Sequence, residues 1–194
     1  MFNGIIQHTG KVSVLNDHYK GIELSIKSDI KFKKNEKGSS VSCDGVCLTL
    51  ESFKNNISKF YISKETINKT KFKSTKIGDT INLEKPLVFN DKVSGHYVQG
   101  HIDTISIVNR IKKIGKTTII DFILKKKFIR YLVEKASITI NGVSLTISKI
   151  LKDGFQIAVI PKTLKLTNLI YLSEKDLVNI ELDILGKYIK KIFK

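Results

Sequence analysis

The chain has no tryptophan, two prolines, two cysteines and one methionine in 194 residues. Cys43 and Cys47 lie four apart. If that stretch is one strand they share a face but sit too far along it to bridge, so no disulfide framework is expected. Free thiols point to the cytoplasm. No apolar run approaches the roughly 18–20 residues a membrane helix needs, so no membrane partner is expected. The opening MFNGIIQHTG lacks a basic stretch followed by a long apolar one, and no signal peptide is expected. Arginine is scarce too: of 34 basic residues only Arg110 and Arg130 are not lysine. The net charge of +16 is therefore carried by scattered lysines without arginine's planar fork, and no nucleic-acid partner is expected.

A repeat is what the sequence does have. Ser137–Ile147 reads SITINGVSLTI, two alternating runs around Asn-Gly, which is a strong hairpin signal. Val41–Leu50 reads VSCDGVCLTL and has the same shape. Gly45–Thr49 matches Gly142–Thr146 at every position but one, 97 residues on, where Cys47 stands against Ser144. Phe2–Ile6 corresponds to Val98–Ile102, Ile81–Glu84 to Val178–Glu181, and Thr66 and Thr70 to Thr163 and Thr167. Many short alternating runs separated by glycine-containing turns, with few helical stretches, predict barrels or sandwiches. The expected fold is all-β: two tandem antiparallel six-stranded Greek-key β-barrels related by internal duplication, plus a C-terminal α-helix. The expected boundaries are 1–92 and 93–183 for the barrels and 184–194 for the helix. A short helix is expected over Lys127–Lys135, and a short helix or irregular turn over Lys64–Lys76. In the tail, Ile184, Leu185, Tyr188, Ile189, Ile192 and Phe193 form one apolar stripe, to be buried on the barrel or on other copies of the chain.

Chemistry-bearing residues are few. His96 and His101 bracket Gly95 and Gly100, with Asp103 beyond. In a strand that histidine spacing separates the rings, and no third ligand is evident, so no metal is expected. Cys47 and Ser144 are each either a nucleophile or a packed strand residue. Asp183 and Lys135 are either solvated or placed.

The ordered set Met1–Ile5, the twin Asp-Gly-Val-Cys-Leu-Thr and Asn-Gly-Val-Ser-Leu-Thr, Ser94–Asp103, Ile160–Leu164 and Asn179–Ile184 resembles riboflavin synthase of the alpha-chain type. The resemblance runs end to end. It implies a cofactor-free and metal-free dismutation of two molecules of 6,7-dimethyl-8-ribityllumazine. Four carbons pass from one to the other, giving riboflavin and 5-amino-6-(ribitylamino)uracil. It also implies a cytoplasmic homotrimer held by the C-terminal helix, an association with lumazine synthase, and a site where one subunit's first barrel faces its neighbour's second. By the same resemblance Phe2, Cys47, His101, Ser144 and Asp183 lie closest to the chemistry. The first barrel's lumazine is expected to contact Gly4, Ile5, Ile6, Cys47, Leu48, Thr49, Tyr61, Ile62, Ser63, Lys64, Glu65 and Thr66. The second's is expected to contact Gly100, His101, Ile102, Lys135, Ser144, Leu145, Thr146, Ile160, Pro161, Lys162, Thr163, Leu164 and Lys165. Asn3, Gln99, Lys162 and Ser94 depart from the usual pattern. A non-catalytic lumazine- or flavin-binding relative is the competing reading, disfavoured because both halves keep Gly-Val-(Cys/Ser)-Leu-Thr.

Overall fold

Two residues with positive φ make the tightest hairpin turn compatible with strand twist. Asp44 and Gly45 take φ of 47° and 80°, and Asn141 and Gly142 take 46° and 80°. The computed structural model, which describes residues 1–18 and 20–193, builds one barrel around each turn. The first comprises β1 (His8–His18), β2 (Gly21–Ser28), β3 (Ser40–Cys43), β4 (Val46–Lys54), β5 (Ile57–Ser63) and β6 (Thr80–Glu84). These close in the order β1-β2-β5-β4-β3-β6. The second comprises β7 (Thr104–Ile114), β8 (Thr117–Ile123), β9 (Ser137–Ile140), β10 (Val143–Leu151), β11 (Gly154–Val159) and β12 (Leu177–Leu182), closing in the equivalent order. In each barrel the second strand pairs with the fifth rather than the third, which is a Greek-key connection. Closure leaves no free sheet edge.

Side chains fill both interiors. Leu24, Leu50, Phe60, Ile62 and Ile81 are buried in the first, and Phe122 stacks on Phe155 at 5.2 Å in the second. The helices are short: α1 (Lys64–Lys69), α2 (Lys126–Ile129), α3 (Pro161–Leu166) and α4 (Ile184–Ile192). The helix expected over Lys127–Lys135 is thus a single turn, because Val133–Lys135 already leads into β9 and Lys135 takes a φ of 69°.

The single strand supposed in weighing the cysteine pair and the histidine pair is absent in both places. Cys43 and Cys47 lie on opposite sides of the Asp44-Gly45 turn, Cys43 paired with Val46 and Cys47 with Ser42, and both are free. His96 and His101 lie outside the strands altogether.

The barrels also exchange their leading segments. Phe2 and Val98 cross as a two-residue antiparallel bridge, each backbone N–H donating to the other's carbonyl. Beyond the crossing, Ile6 joins the apolar core of the second barrel, and Ile102 packs on the core of the first. The two hairpin turns meet back to back: a Cβ on Gly45 would sit 2.7 Å from the Gly142 nitrogen.

Candidate functional site

The exchanged segments create two corresponding sites, each with a wall from one repeat and an arm from the other. The Gly100 carbonyl accepts from the Cys47 N–H at 2.9 Å, and the Gly4 carbonyl accepts from the Ser144 N–H at 2.7 Å. Both glycines have positive φ, and a Cβ on either would lie 2.6 Å from the Cβ of Cys47 or Ser144. Only glycine brings an arm this close. The expected grouping is therefore reversed: Gly4 lies on Ser144 and not in the Cys47 pocket, and Gly100 and Ile102 lie at Cys47 and not at Ser144. Nothing in the sequence showed the crossing, since repeat arithmetic assigns each arm to its own half.

A buried carboxylate fixes each arm. Glu84 accepts from the N–H groups of Asn3 and Gly4 at 2.7 and 3.1 Å. Its twin Glu181 accepts from Gln99, Gly100 and His101 at 2.7, 2.9 and 3.1 Å. Burial pushes both carboxyls up to about 7, against the opposing pull of those N–H donors. Sequence reasoning noted this repeated Asn-x-Glu and gave it no role. A repeated acid at the end of an apolar strand was the available signal.

Around Cys47 the structure gathers a cleft of about 190 Å³ lined by Val46, Glu65, Thr66, Lys69, Thr70, Gly100, His101 and Ile102. Ser63 caps α1 there, accepting from the Thr66 N–H. Leu48 and Ile62 face the barrel core, while Thr49, Tyr61 and Lys64 are exposed outside the cleft lining.

Around Ser144 the arrangement differs. Pro161 opens α3, with Lys162 and Thr163 at the positions of Glu65 and Thr66. Ile160 and Lys165 are exposed, Leu145 and Leu164 pack on the core, and Thr146 pairs with Ser137. His96, considered in the sequence only as a metal ligand, places Nδ1 2.8 Å from Ser144 Oγ and Nε2 3.1 Å from Thr139 Oγ1. Burial holds its imidazole below the usual histidine range, opposed by the nearby Asp183 carboxylate. Asp183 itself caps α4, accepting from the Leu185 N–H at 3.0 Å. Asn3 has a task as well: its amide donates to the Lys92 carbonyl and accepts from the Gly95 N–H, tying the linker over Ser144. Phe2 is fully buried at the crossing, and Lys135 is exposed at the entrance to β9. Among the described residues no group of three His, Cys, Asp or Glu side chains could hold a metal ion.

A domain repeated twice along the chain is also what the comparisons with known proteins return. Residues 3–86 and 99–183 each match the lumazine binding domain. The chain is 34% identical to riboflavin synthase of Actinobacillus pleuropneumoniae over 98% of its length and 89% of the relative's. It is 34% identical to that of Bacillus subtilis over 97% and 87%, and 36% identical to that of Chlamydia pneumoniae over 96% and 92%. The chain belongs to the riboflavin synthase family. Among solved structures it resembles LumP complexed with 6,7-dimethyl-8-(1'-D-ribityl) lumazine, with a TM-score of 0.82 and 26% identity, covering 94% of this chain and 99% of that one. LumP complexed with riboflavin matches with a TM-score of 0.83 and 28% identity over the same shares. The riboflavin synthase resemblance thus extends from the sequence to both barrels and their order.

Proposed function

We propose that the protein is a riboflavin synthase, converting two 6,7-dimethyl-8-ribityllumazine molecules to riboflavin and 5-amino-6-(ribitylamino)uracil by four-carbon transfer. One observation carries the reading: the chain builds two corresponding sites, each with a full Gly-Val-(Cys/Ser)-Leu-Thr wall and an arm from the other repeat. The reaction consumes two molecules of one substrate, and a duplicated pocket matches that stoichiometry. The lumazine supplies its own reactivity, with an acidic C7 methyl and an electrophilic C7. The protein's share is then to hold two rings together, where orientation contributes up to roughly 7–11 kcal/mol in favourable systems.

The residues proposed nearest the chemistry are Phe2, Cys47, His101, Ser144 and Asp183, supported by the grouping of Cys47 with His101 and of Ser144 with His96. The two pockets of one chain lie on separate barrels, so rings face each other only if one subunit's first barrel meets a neighbour's second. A homotrimer through α4 would bring this about. It is supported by the exposure of Leu185, Tyr188, Ile189, Ile192 and Phe193, a whole stripe left off the chain's own barrel. Anchoring by the Lys187–Asp103 ion pair at 2.8 Å holds the helix start in place. A cytoplasmic location fits relatives that are biosynthetic enzymes, and an association with lumazine synthase rests on the resemblance alone. No described helix is long and apolar enough to cross a membrane.

Incubation of the purified protein with the lumazine alone tests the activity. Riboflavin should appear without added cofactor or metal. Tight lumazine binding with no riboflavin would identify a binding protein instead.

A further inference from the structure

The pockets repeat one another closely, so the groups that break the repeat are informative. Thr139 and Ser144 pair across the β9–β10 hairpin, and their twins Ser42 and Cys47 pair across β3–β4. Between the first two lies an imidazole in contact with both hydroxyls. The second two have no such bridge among the described residues: Ser42 Oγ is buried without a hydrogen-bond partner, and Cys47 is a free thiol beside His101.

The direction of the Thr139–His96–Ser144 chain follows from burial. Thr139 is almost wholly inaccessible, and His96 is its side chain's one hydrogen-bond partner among the described residues. A buried O–H without an acceptor costs roughly 1–3 kcal/mol, and a spare lone pair costs less. The Thr139 O–H therefore donates to Nε2. A neutral imidazole accepting at Nε2 carries its proton on Nδ1, which donates to Ser144 Oγ. Ser144 has its acceptor side occupied, and its own O–H is left to point at the ligand. Asn3 locks the arrangement by accepting from the Gly95 N–H and, through its carbonyl, from the His96 N–H at 3.3 Å.

We infer that Ser144 acts as a hydrogen-bond donor to an anionic ligand, that His96 and Thr139 are its positioning residues, and that the second barrel therefore holds the donor lumazine while the first, with Cys47, holds the acceptor. The inference rests on the reaction proposed above. In the donor, a C–H bond of the C7 methyl breaks, its electron pair spreads into the ring system, and the proton passes to water. A fixed O–H aimed at that developing charge favours the anion over the neutral ring, as an oxyanion hole does. A hydroxyl already donating to histidine could not do so.

The test is exchange of the lumazine C7-methyl protons for deuterium in D₂O, followed by NMR alongside riboflavin formation. Ser144→Ala, His96→Ala and Thr139→Val should each slow exchange about 10–100-fold, and Ser144→Ala combined with His96→Ala should be little slower than either alone. Thr139→Ser should restore exchange to near the wild-type rate, which a purely structural role for the methyl-bearing side chain would not give. Cys47→Ser should show the opposite ratio, riboflavin formation falling further than exchange. Exchange that survives in Ser144→Ala and fails in Cys47→Ser would place the donor in the first barrel and overturn the inference. Loss of Thr139→Ser rescue would overturn the proposed direction of the chain. Absence of riboflavin with the unsubstituted protein would instead count against the proposed reaction itself.

Discussion

Asp44 and Lys71 offer the sharpest test of how the barrels are joined. Asp44 is fully buried at the first hairpin turn. Its Oδ1 accepts from Asn82 N–H and Asn168 Nδ2, both at 2.8 Å, and its Oδ2 meets Lys71 Nζ at 2.6 Å. The repeat provides a control, because the equivalent positions in the second half are Asn141 and Asn168, with no charge at either. Burial raises the Asp44 carboxyl even though Lys71 pulls it down, so desolvation outweighs the attraction. Lys71→Asn leaves a buried carboxylate uncompensated and should cost about 3–5 kcal/mol. Asp44→Asn leaves an ammonium whose side chain still reaches solvent, so it should cost less, about 1–2 kcal/mol. The double variant reproduces the second half's chemistry and should cost no more than about 1 kcal/mol, a coupling of roughly 3–7 kcal/mol. Urea unfolding followed by circular dichroism, at fixed protein concentration, measures all three. Additive losses, or a Lys71 variant no worse than the Asp44 one, would refute the reasoning.

The other expectations follow from the arms, the acids and the tail. Gly4→Ala and Gly100→Ala should each abolish riboflavin formation and lower the melting temperature, because a Cβ collides with Ser144 or Cys47 on a positive-φ backbone; unchanged melting would contradict the close approach. Glu84 and Glu181 have folded pKa values near 7, above the usual 4.5, so the stability tied to their protonated forms is complete below pH 4.5 and lost as pH rises through 7. Unfolding free energy should fall by up to roughly 2 kcal/mol for each acid between pH 5.5 and 8, and a flat profile would remove the burial argument. Deleting residues 186–194 should convert a trimer to monomers in light scattering; an unchanged mass would sink the role given to α4.

How much of this the sequence disclosed depends on range. The twin turns were legible because Asp-Gly and Asn-Gly announce their φ angles locally, and the strands because alternation reports one buried face. The helix after β8 was misjudged because Phe128, Tyr131 and Leu132 mimic a helical stripe while Lys135 takes a left-handed turn. The candidate residues came mainly from the family likeness, and their barrel assignment failed for Gly4 and Gly100 because a crossing at Phe2–Val98 leaves no mark on composition or spacing. The hydroxyl partners of His96 went unread for a related reason: they lie 43 and 48 residues away, and only folding brings them to it.

The crossing also makes each site depend on both repeats. If each arm stayed on its own barrel, Gly4 would stand beside Cys47 and Gly100 beside Ser144, and each pocket could diverge only through its own repeat. With the arms exchanged, each pocket draws on both repeats, so a difference anywhere along an arm becomes a difference between pockets. His101 then serves Cys47, whereas its counterpart Ile5 goes with the Gly4 arm to the Ser144 side. The linker that makes the exchange adds His96 to the second pocket alone. A dismutation asks two identical molecules to take opposite parts, which identical pockets could not assign. Cys47 against Ser144, His101 against Ile5, and His96 at Ser144 supply the asymmetry that the chemistry needs.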